Sequence, residues 1–466
     1  MESIHRKVDE IREEIIQSTR ELIRIKSVRE EAADEMPFGP GVAGALAYAL
    51  GLSEKLGFCP TNLDNMIGWA DVGDSDAHVA VLTHLDVVPE GDGDGWTYPP
   101  YGAEIHDNKI YGRGANDDKG ALIASLYAVK VLKDLGLPLK TRVRIIFGTA
   151  EESGGDGILY YIDREKPPIW GFTPDGAFPI VNAEKGNIIF DLVREFDDEA
   201  KGGIRIRSIA GGETVNMVPD YCEAELISEK KETITSAVEA FRESTGYQVS
   251  AEVDAEKILV KSVGESGHSG RPDRGKNAVM QLILFLHQLP TVPGGITEMI
   301  EFLATRIGMQ TDGEDLGIGL SDDISGKLAL NVGTMNLDAK RMEIGVNIRF
   351  PVKYKADDVI RPLKETVSGR GVVVEGLRFR EPLYYPEEHP LIQILKKVYT
   401  AQTGEEATLI AMSGGTYAKA MPNIVAFGPG FPNTTYYAHK PDECIDIDEL
   451  IKLTKIYAHA IYALAN

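Results

Sequence analysis

A chain of 466 residues is longer than one compact core accommodates, so two domains are expected, with three as the alternative. Its 49 basic and 72 acidic residues leave a net charge of −23, which disfavours nucleic acid and anionic membranes and suits divalent cations and neutral or cationic small molecules. Cys59, Cys222 and Cys444 are dispersed, odd in number and without CxxC spacing, which argues against a disulfide framework and points to a reducing cytoplasm.

The first ten residues are charged throughout, so no signal peptide is expected, and no apolar run approaches the ~18 residues of a membrane span. Val8, Ile11, Ile15 and Leu22 recur at helical spacing, giving an amphipathic helix over about 4–26, followed by a second helix from Gly41 to Leu56. A short strand is expected at Asn65–Val72. Next comes Val79-Ala-Val-Leu82-Thr-His84-Leu-Asp86, an apolar run that stops at a histidine and a carboxylate, with Pro89 just beyond. Such a run reads as a strand buried on both faces, which puts His84 and Asp86 at its carboxyl end, where open α/β sheets bind ligands. Gly91–Gly95 is a turn-rich acidic loop, and Ile105–Tyr111 reads as a small hairpin.

Tyr111-Gly-Arg-Gly-Ala-Asn-Asp117-Asp118-Lys-Gly-Ala121 opens a long helix with apolar Leu122, Ile123, Leu126, Val129 and Leu132, stopped at Gly136 and Pro138. Its two aspartates read either as helix caps or as functional carboxylates. The strand Arg142–Phe147 leads into Glu151-Glu152, which taken alone could be a solvated helix start, and Gly171–Val181 repeats the pattern around Pro174-Asp175. Strands alternating with helices to this point predict an α/β fold: a helix-covered, mostly parallel sheet.

From Glu184 the texture changes. Strands at Gly186–Val193, Met217–Leu226, Lys257–Val263 and Met342–Phe350 interleave with helices near 231–245, 275–289, 295–305 and 354–369. This predicts an α+β domain, 186–381, inserted into a first domain made of 1–185 and 382–466. The earlier style then resumes, with a helix at 390–402, a strand at Ile424–Phe427, a loop through His439 and a helix at 447–464.

His84 with Asp86, Asp117, Glu151 with Glu152, Asp175, and His439 all follow strands or begin the next helix. Singly each has a structural explanation; a joint gathering of two histidines and five acids at strand ends is hard to assign to chance. Imidazoles mixed with carboxylates suit zinc or manganese. A two-metal site needs a bridging carboxylate and two further ligands per metal. His84, Asp117, Glu152, Asp175 and His439 meet that count, leaving Asp86 and Glu151 for an orienting acid and a general base.

His84-Leu-Asp86-Val-Val-Pro, Gly112-Arg-Gly with Asp117-Asp-Lys-Gly, Glu151-Glu152-Ser-Gly and Pro174-Asp175 resemble the co-catalytic zinc exopeptidases, the group containing carnosinases, succinyl-diaminopimelate desuccinylase and aminoacylases. The resemblance spans nearly the whole chain. The length, the large insert and Lys140-Thr-Arg-Val-Arg-Ile-Ile-Phe-Gly-Thr look most like the bacterial peptidase V-type dipeptidases, in which an enlarged lid lets a monomer supply what a dimer partner supplies elsewhere. The resemblance implies that His84 and Asp175 hold one metal, Glu152 and His439 the other, and that Asp117 bridges them. Asp86 would orient the His84 ring, and Glu151 would take a proton from the attacking water and pass it to the leaving amine.

In the insert, Gly264-Glu-Ser-Gly-His268-Ser-Gly resembles the family's glycine-rich loop whose histidine stabilises the oxyanion. Asn216 and Arg349 match substrate-binding positions, Arg349 for the terminal carboxylate. Taken alone, Arg349 also reads as half of a strand-surface ion pair. Ser413-Gly414-Gly415-Thr416 resembles a loop offering backbone donors to that same carboxylate. The chain departs from the family at Thr83, where many relatives carry glycine, in the acidic loop at 91–101, and in Gly-His-Ser-Gly in place of Ala-His-Gly-Ser.

These features imply a cytoplasmic, monomeric, metal-dependent dipeptidase whose lid closes over dipeptides with free amino and carboxyl ends. Two divalent ions per chain are expected, zinc first, with manganese or cobalt as alternatives. No nucleic acid and no membrane partner is expected. An N-acyl- or N-succinyl-amino-acid deacylase on the same site is the alternative enzyme, and a catalytically silent metal carrier the alternative class.

Overall fold

The computed structural model describes residues 2–91, 94–197, 202–254, 257–435 and 437–466; residues 92 and 93 of the acidic loop and residue 436 of the segment before His439 lie outside the described residues. The chain divides into two compact units. One comprises Met1–Asn182, Tyr385–Ile410 and Gly415–Asn466, the other Ala183–Tyr384 and Ala411–Gly414.

The inner strands of the first unit's sheet, Arg142–Gly148, His78–His84, Trp170–Thr173 and Ile424–Ala426, lie side by side in that order and run parallel. Ile67–Val72 and then Cys59–Leu63 extend it antiparallel on one side, and Ile180–Glu184 on the other. All seven residues of His78–His84 are buried, as expected of a strand with neighbours on both edges and cover on both faces. The helix Lys119–Asp134 buries Leu122, Ile123, Leu126, Val129 and Leu132 completely and packs on the helix Ile447–Leu464 and on the central strands. Because the four inner strands are parallel, their carboxyl ends share one edge. There the chain delivers His84, Glu151 with Glu152, Asp175 and the loop that carries His439.

The second unit is built on an antiparallel sheet in the order Gln248–Val253, Ile258–Val263, Tyr221–Ile227, Arg205–Gly211, Ala329–Leu337, Arg341–Phe350, Gly186–Glu195 and Val373–Arg380. Met342, Ile344, Val346, Ile348 and Phe350 point to one face, joining a core with Phe241, Leu282, Leu303 and Leu363 from four helices. By the two-residue period Asn347 and Arg349 belong to the opposite face.

The structure departs from the sequence expectation in places. The helix over 4–26 is two helices, Glu2–Glu10 and Arg12–Ile23, interrupted at Ile11. Strands Arg205–Gly211 and Ala329–Leu337 are not evident in the sequence because register shifts, at Ile206/Ser208 and at Val332/Thr334, interrupt their alternation. Cys59–Leu63 is an exposed edge strand with no apolar face to betray it. Among the described residues no helix is long and apolar enough to cross a membrane.

Candidate metal centre

His84 ends the central strand with its side chain buried, and Asp117 lies in the turn before Lys119–Asp134. The two meet: His84 Nε2 lies 2.9 Å from Asp117 Oδ1. The other Asp117 oxygen lies 3.2 Å from His439 Nε2, and that nitrogen is 2.9 Å from Glu152 Oε1. Donor atoms of His84, Asp117 and Glu152 fall within 4.8 Å of one another, as do donor atoms of His84, Glu151 and Asp175. Residues up to 355 positions apart thus form one cluster, with Asp117 reaching both histidines.

The loops are locked at close range. Asp86 accepts the backbone N–H groups of Glu151 at 2.9 Å and Glu152 at 3.1 Å through its two carboxylate oxygens. The hydrogen-bond partner of His84 Nδ1 is the Asp86 carbonyl, at 2.9 Å, with the Asp86 carboxylate at 3.6 Å. A carbonyl can only accept, so Nδ1 carries the proton and leaves Nε2 as the ligating nitrogen. Asp118 does not cap the helix it precedes; its side chain is buried and accepts the His84 N–H at 3.2 Å. At Gly148 a β-carbon would meet the Tyr417 ring at 2.3 Å, and glycine here lets that ring pack edge-on against His84, centroids 6.4 Å apart. Thr83, where many relatives carry glycine, is buried and donates its hydroxyl to the Ile146 carbonyl at 2.7 Å.

The electrostatics favour cations. Burial, reinforced by neighbouring carboxylates, pushes Glu151 up to about 8 and raises Asp175 well above the carboxylate range. Burial also raises Glu152. Burial opposes ionisation of Asp117 too, but hydrogen bonds from His439 and His84 outweigh it and hold this carboxyl below its usual range. His439 is raised to about 10 by its bonds to Asp117 and Glu152. Among the described residues, the ion-pair partners of these carboxylates are histidines, with no lysine or arginine. The cluster therefore gathers more carboxyl groups than its own cations can neutralise, so without a metal several of them favour the protonated form that a divalent ion would displace, and its donors are imidazole nitrogen and carboxylate oxygen. Divalent cations of the zinc and manganese type fit it.

Residues 80–463 match the model of peptidase family M20/M25/M40. The chain belongs to this family. It is 40% identical over 459 residues to the Bacillus subtilis protein named "Putative dipeptidase YtjP", covering 98% of each, and 33% identical to a Staphylococcus haemolyticus protein named "Putative dipeptidase SH1171", again over 98% of each. Human carnosine dipeptidase 1 has the same fold, with TM-score 0.59, 18% identity and coverage of 100% of this chain and 98% of that one. So does the Saccharomyces cerevisiae di-peptidase Dug1p, with TM-score 0.60, 13% identity and coverage of 99% and 98%. This M20-family chain is a metallopeptidase-class hydrolase by membership.

In the second unit of the M20-family chain, Gly267–His268 pairs with Met217–Val218, and the Ser269 N–H donates to the Asn216 carbonyl at 2.9 Å, so His268 and Asn216 are neighbours. The Gly270 N–H donates to His268 Nδ1 at 3.0 Å, which fixes the neutral ring with its proton on Nε2. Arg349 is buried, and no carboxylate pairs with it within 4.0 Å among the described residues, so the surface ion-pair reading does not hold. Its Nε donates to Asn347 Oδ1 at 3.2 Å; burial, with Arg380 nearby, lowers its proton affinity to about 10. Gly414 closes the second unit and Gly415 reopens the first; Thr416 Oγ1 accepts the Ala418 N–H at 3.1 Å.

Four supporting residues escape sequence reasoning. Asn347 holds Arg349, and its cross-strand partner Asn331 donates to the carbonyls of Val215 and Met217 on either side of Asn216. Glu443 and Arg113 lie beneath the metal-site loops. Arg113 stands in Gly112-Arg-Gly, and Glu443 lies four residues beyond His439.

Proposed function

We propose that the chain is a metal-dependent dipeptidase that hydrolyses the peptide bond of dipeptides with free amino and carboxyl ends. The convergence of His84, Asp117, Glu152, Asp175 and His439 with Glu151 beside them carries this reading, and the names of the relatives at 40% and 33% identity agree with it. His84 and Asp175 would hold one divalent ion, Glu152 and His439 the other, with Asp117 shared. When bound, the ions supply Lewis acidity that polarises the scissile carbonyl and makes a water acidic enough to lose a proton near neutral pH.

Glu151, which lies with His84 and Asp175 next to the ligand Glu152, takes the proton of the attacking water and returns it to the leaving amine. Asp86 keeps Glu151 and Glu152 side by side through their N–H groups. His268 donates from Nε2 to the developing oxyanion. Arg349 forks onto the substrate carboxylate, with Asn216 and the backbone of Gly414, Gly415 and Thr416 as further contacts. The second unit acts as the lid of this catalytic unit. The resemblance to the co-catalytic zinc exopeptidases puts zinc first as the resident ion; manganese and cobalt are the alternatives, since nitrogen and oxygen donors accept all three. The cysteines are unpaired, which supports a cytoplasmic setting, and the large insert supports a monomer.

Mass-spectrometric product analysis of the metal-loaded protein against matched dipeptides, tripeptides and N-acetyl or N-succinyl amino acids tests this. Cleavage confined to dipeptides with a free amine is the expected result. Cleavage of the acylated set alone would reassign the chain as a deacylase, and no cleavage with any metal would make it a silent carrier.

A further inference from the structure

Glu443 is fully buried (0% exposed), four residues beyond His439, and is not a member of the ligand cluster. The strand Cys444–Asp446 pairs antiparallel with Lys109–Tyr111, which sets Glu443 beside Gly112, whose N–H donates to the Glu443 carbonyl at 2.8 Å. From there its carboxylate reaches the next turn. Oε1 accepts the N–H of Asn116 at 3.0 Å and of Asp117 at 3.2 Å, and Oε2 accepts from Arg113 Nη1 at 2.8 Å. Arg113 is itself buried, donates onward to the carbonyls of Lys440 at 3.3 Å and Pro89 at 3.2 Å, and rests on the Trp96 ring.

We propose that Glu443 and Arg113 are a positioning pair that sets the bridging carboxylate Asp117 and the ligand His439 at their mutual distance. The carboxylate grips the turn that carries Asp117. The guanidinium grips the residue after His439 and the loop that follows Asp86. His439 sits at φ 64 and Asp442 at φ 57, a left-handed backbone that is uncommon for residues other than glycine, although histidine and aspartate adopt it more readily than most. The bonds from Arg113 and Glu443 lie on both sides of that segment.

A buried ion pair is not by itself stabilising, since desolvation offsets the attraction, and apolar replacements of such pairs are often neutral. Fold stability alone therefore gives this pair no reason to be charged. A carboxylate accepting two N–H groups from the ligand turn while held by a guanidinium bonded beside His439 does give one. Groups that orient ligands from behind typically affect metal affinity or activity by about 10–100-fold.

The inference rests on the metal reading of the site, and the test separates the two. Divalent-ion affinities of the full chain are measured by competition with a chromophoric chelator, alongside the melting temperature, for the wild type, Glu443→Gln, Arg113→Lys and the control Asp71→Asn. Asp71 pairs with Arg144 in the same unit at 2.8 Å and, among the described residues, makes no bond to the ligand loops. Glutamine keeps one acceptor for the Asn116 and Asp117 amides but turns a donor toward Arg113. Glu443→Gln should weaken binding of at least one ion by about 10–100-fold, and kcat at subsaturating metal should fall with it while KM for the dipeptide holds. Asp71→Asn should lower the melting temperature without changing either affinity. Should Glu443→Gln not fold, Arg113→Lys, which keeps the charge but loses the fork, is expected to fold and to weaken binding in the same direction. Affinities within about twofold of wild type in a folded variant at either position, or an equal loss in Asp71→Asn, would overturn the positioning role. A wild-type chain that binds no divalent ion would instead overturn the metal reading itself.

Discussion

The carboxylate of Asp86 accepts the backbone N–H of Glu151 at 2.9 Å, and its second oxygen accepts that of Glu152. One buried side chain at the end of the central strand therefore fixes both members of the glutamate pair at the end of the neighbouring strand. Asp86→Asn keeps one acceptor and places an amide N–H against the other peptide N–H. Leaving that group unsatisfied should cost about 1–3 kcal/mol in melting experiments, and kcat/KM should fall by about 10–100-fold. An Asp86→Asn protein with wild-type kinetics would remove Asp86 from the working site.

Proton binding gives the metal-free protein a pH signature. Glu151 is pushed up to about 8 from 4.5, by burial first, and His439 up to about 10 from 6.5, by its bonds to Asp117 and Glu152. Both groups hold protons more tightly folded than unfolded. Their stabilisation is complete below the unfolded values and is lost as pH rises through the folded ones. Asp117 has the opposite sign: held below its usual 3.8, it contributes above that value and is lost only in stronger acid. The share of the metal-free protein's stability that Glu151 and His439 contribute should therefore fall between about pH 5 and about pH 10, against the opposite trend of His78, His459 and Lys119, whose proton affinities burial lowers. The gain in melting temperature on adding zinc should grow over the same interval, because the ions compete with the protons of the site. A gain on adding zinc that shrinks as pH rises across this range would contradict the assignment.

Much of this site is legible in the chain and part of it is not, for physical reasons. The apolar run before His84 and the strands before Glu151 and Asp175 announce their own ends, because a parallel strand buried on both faces shows as unbroken hydrophobicity. The neighbours of these ends do not show. Asp118 looks like a helix cap, yet it bonds to the N–H of His84, 34 residues away. Glu443 serves amides 326 and 327 positions earlier in the chain, and no local pattern records such a contact. Asn331 and Asn347 each stand in a buried strand, where a lone asparagine looks like a flaw until the cross-strand register puts the two opposite each other.

His268 is held with Nδ1 accepting the Gly270 N–H, which leaves Nε2–H as the donor. His268→Ala should lower kcat by about 10²–10³-fold with both ions retained, since an oxyanion donor acts chiefly in the transition state. Unchanged kcat would dismiss it from the reaction.

Arg349 is buried with Asn347 as its bonded neighbour and, among the described residues, no carboxylate within ion-pair distance, the Glu184 carboxylate acting on it only at longer range. Arg349→Ala should raise KM for free-carboxylate dipeptides by about 10–100-fold, the loss expected of a charge-assisted hydrogen bond, and much less for their C-terminal amides. Equal effects on the two substrate classes would mark a structural arginine.

Glu151 and Glu152 are adjacent, yet Glu152 bonds to His439 while Glu151 lies with His84 and Asp175. The assignment of base to one and ligand to the other is tested by metal content and turnover of Glu151→Gln and Glu152→Gln measured side by side. Glu151→Gln should retain two ions per chain and lose turnover by about 10²–10⁴-fold, the usual worth of a general base, whereas Glu152→Gln should lose one of the ions. Loss of an ion in Glu151→Gln, with both retained in Glu152→Gln, would show that the two roles are exchanged, and wild-type turnover in Glu151→Gln would contradict general-base catalysis at this site.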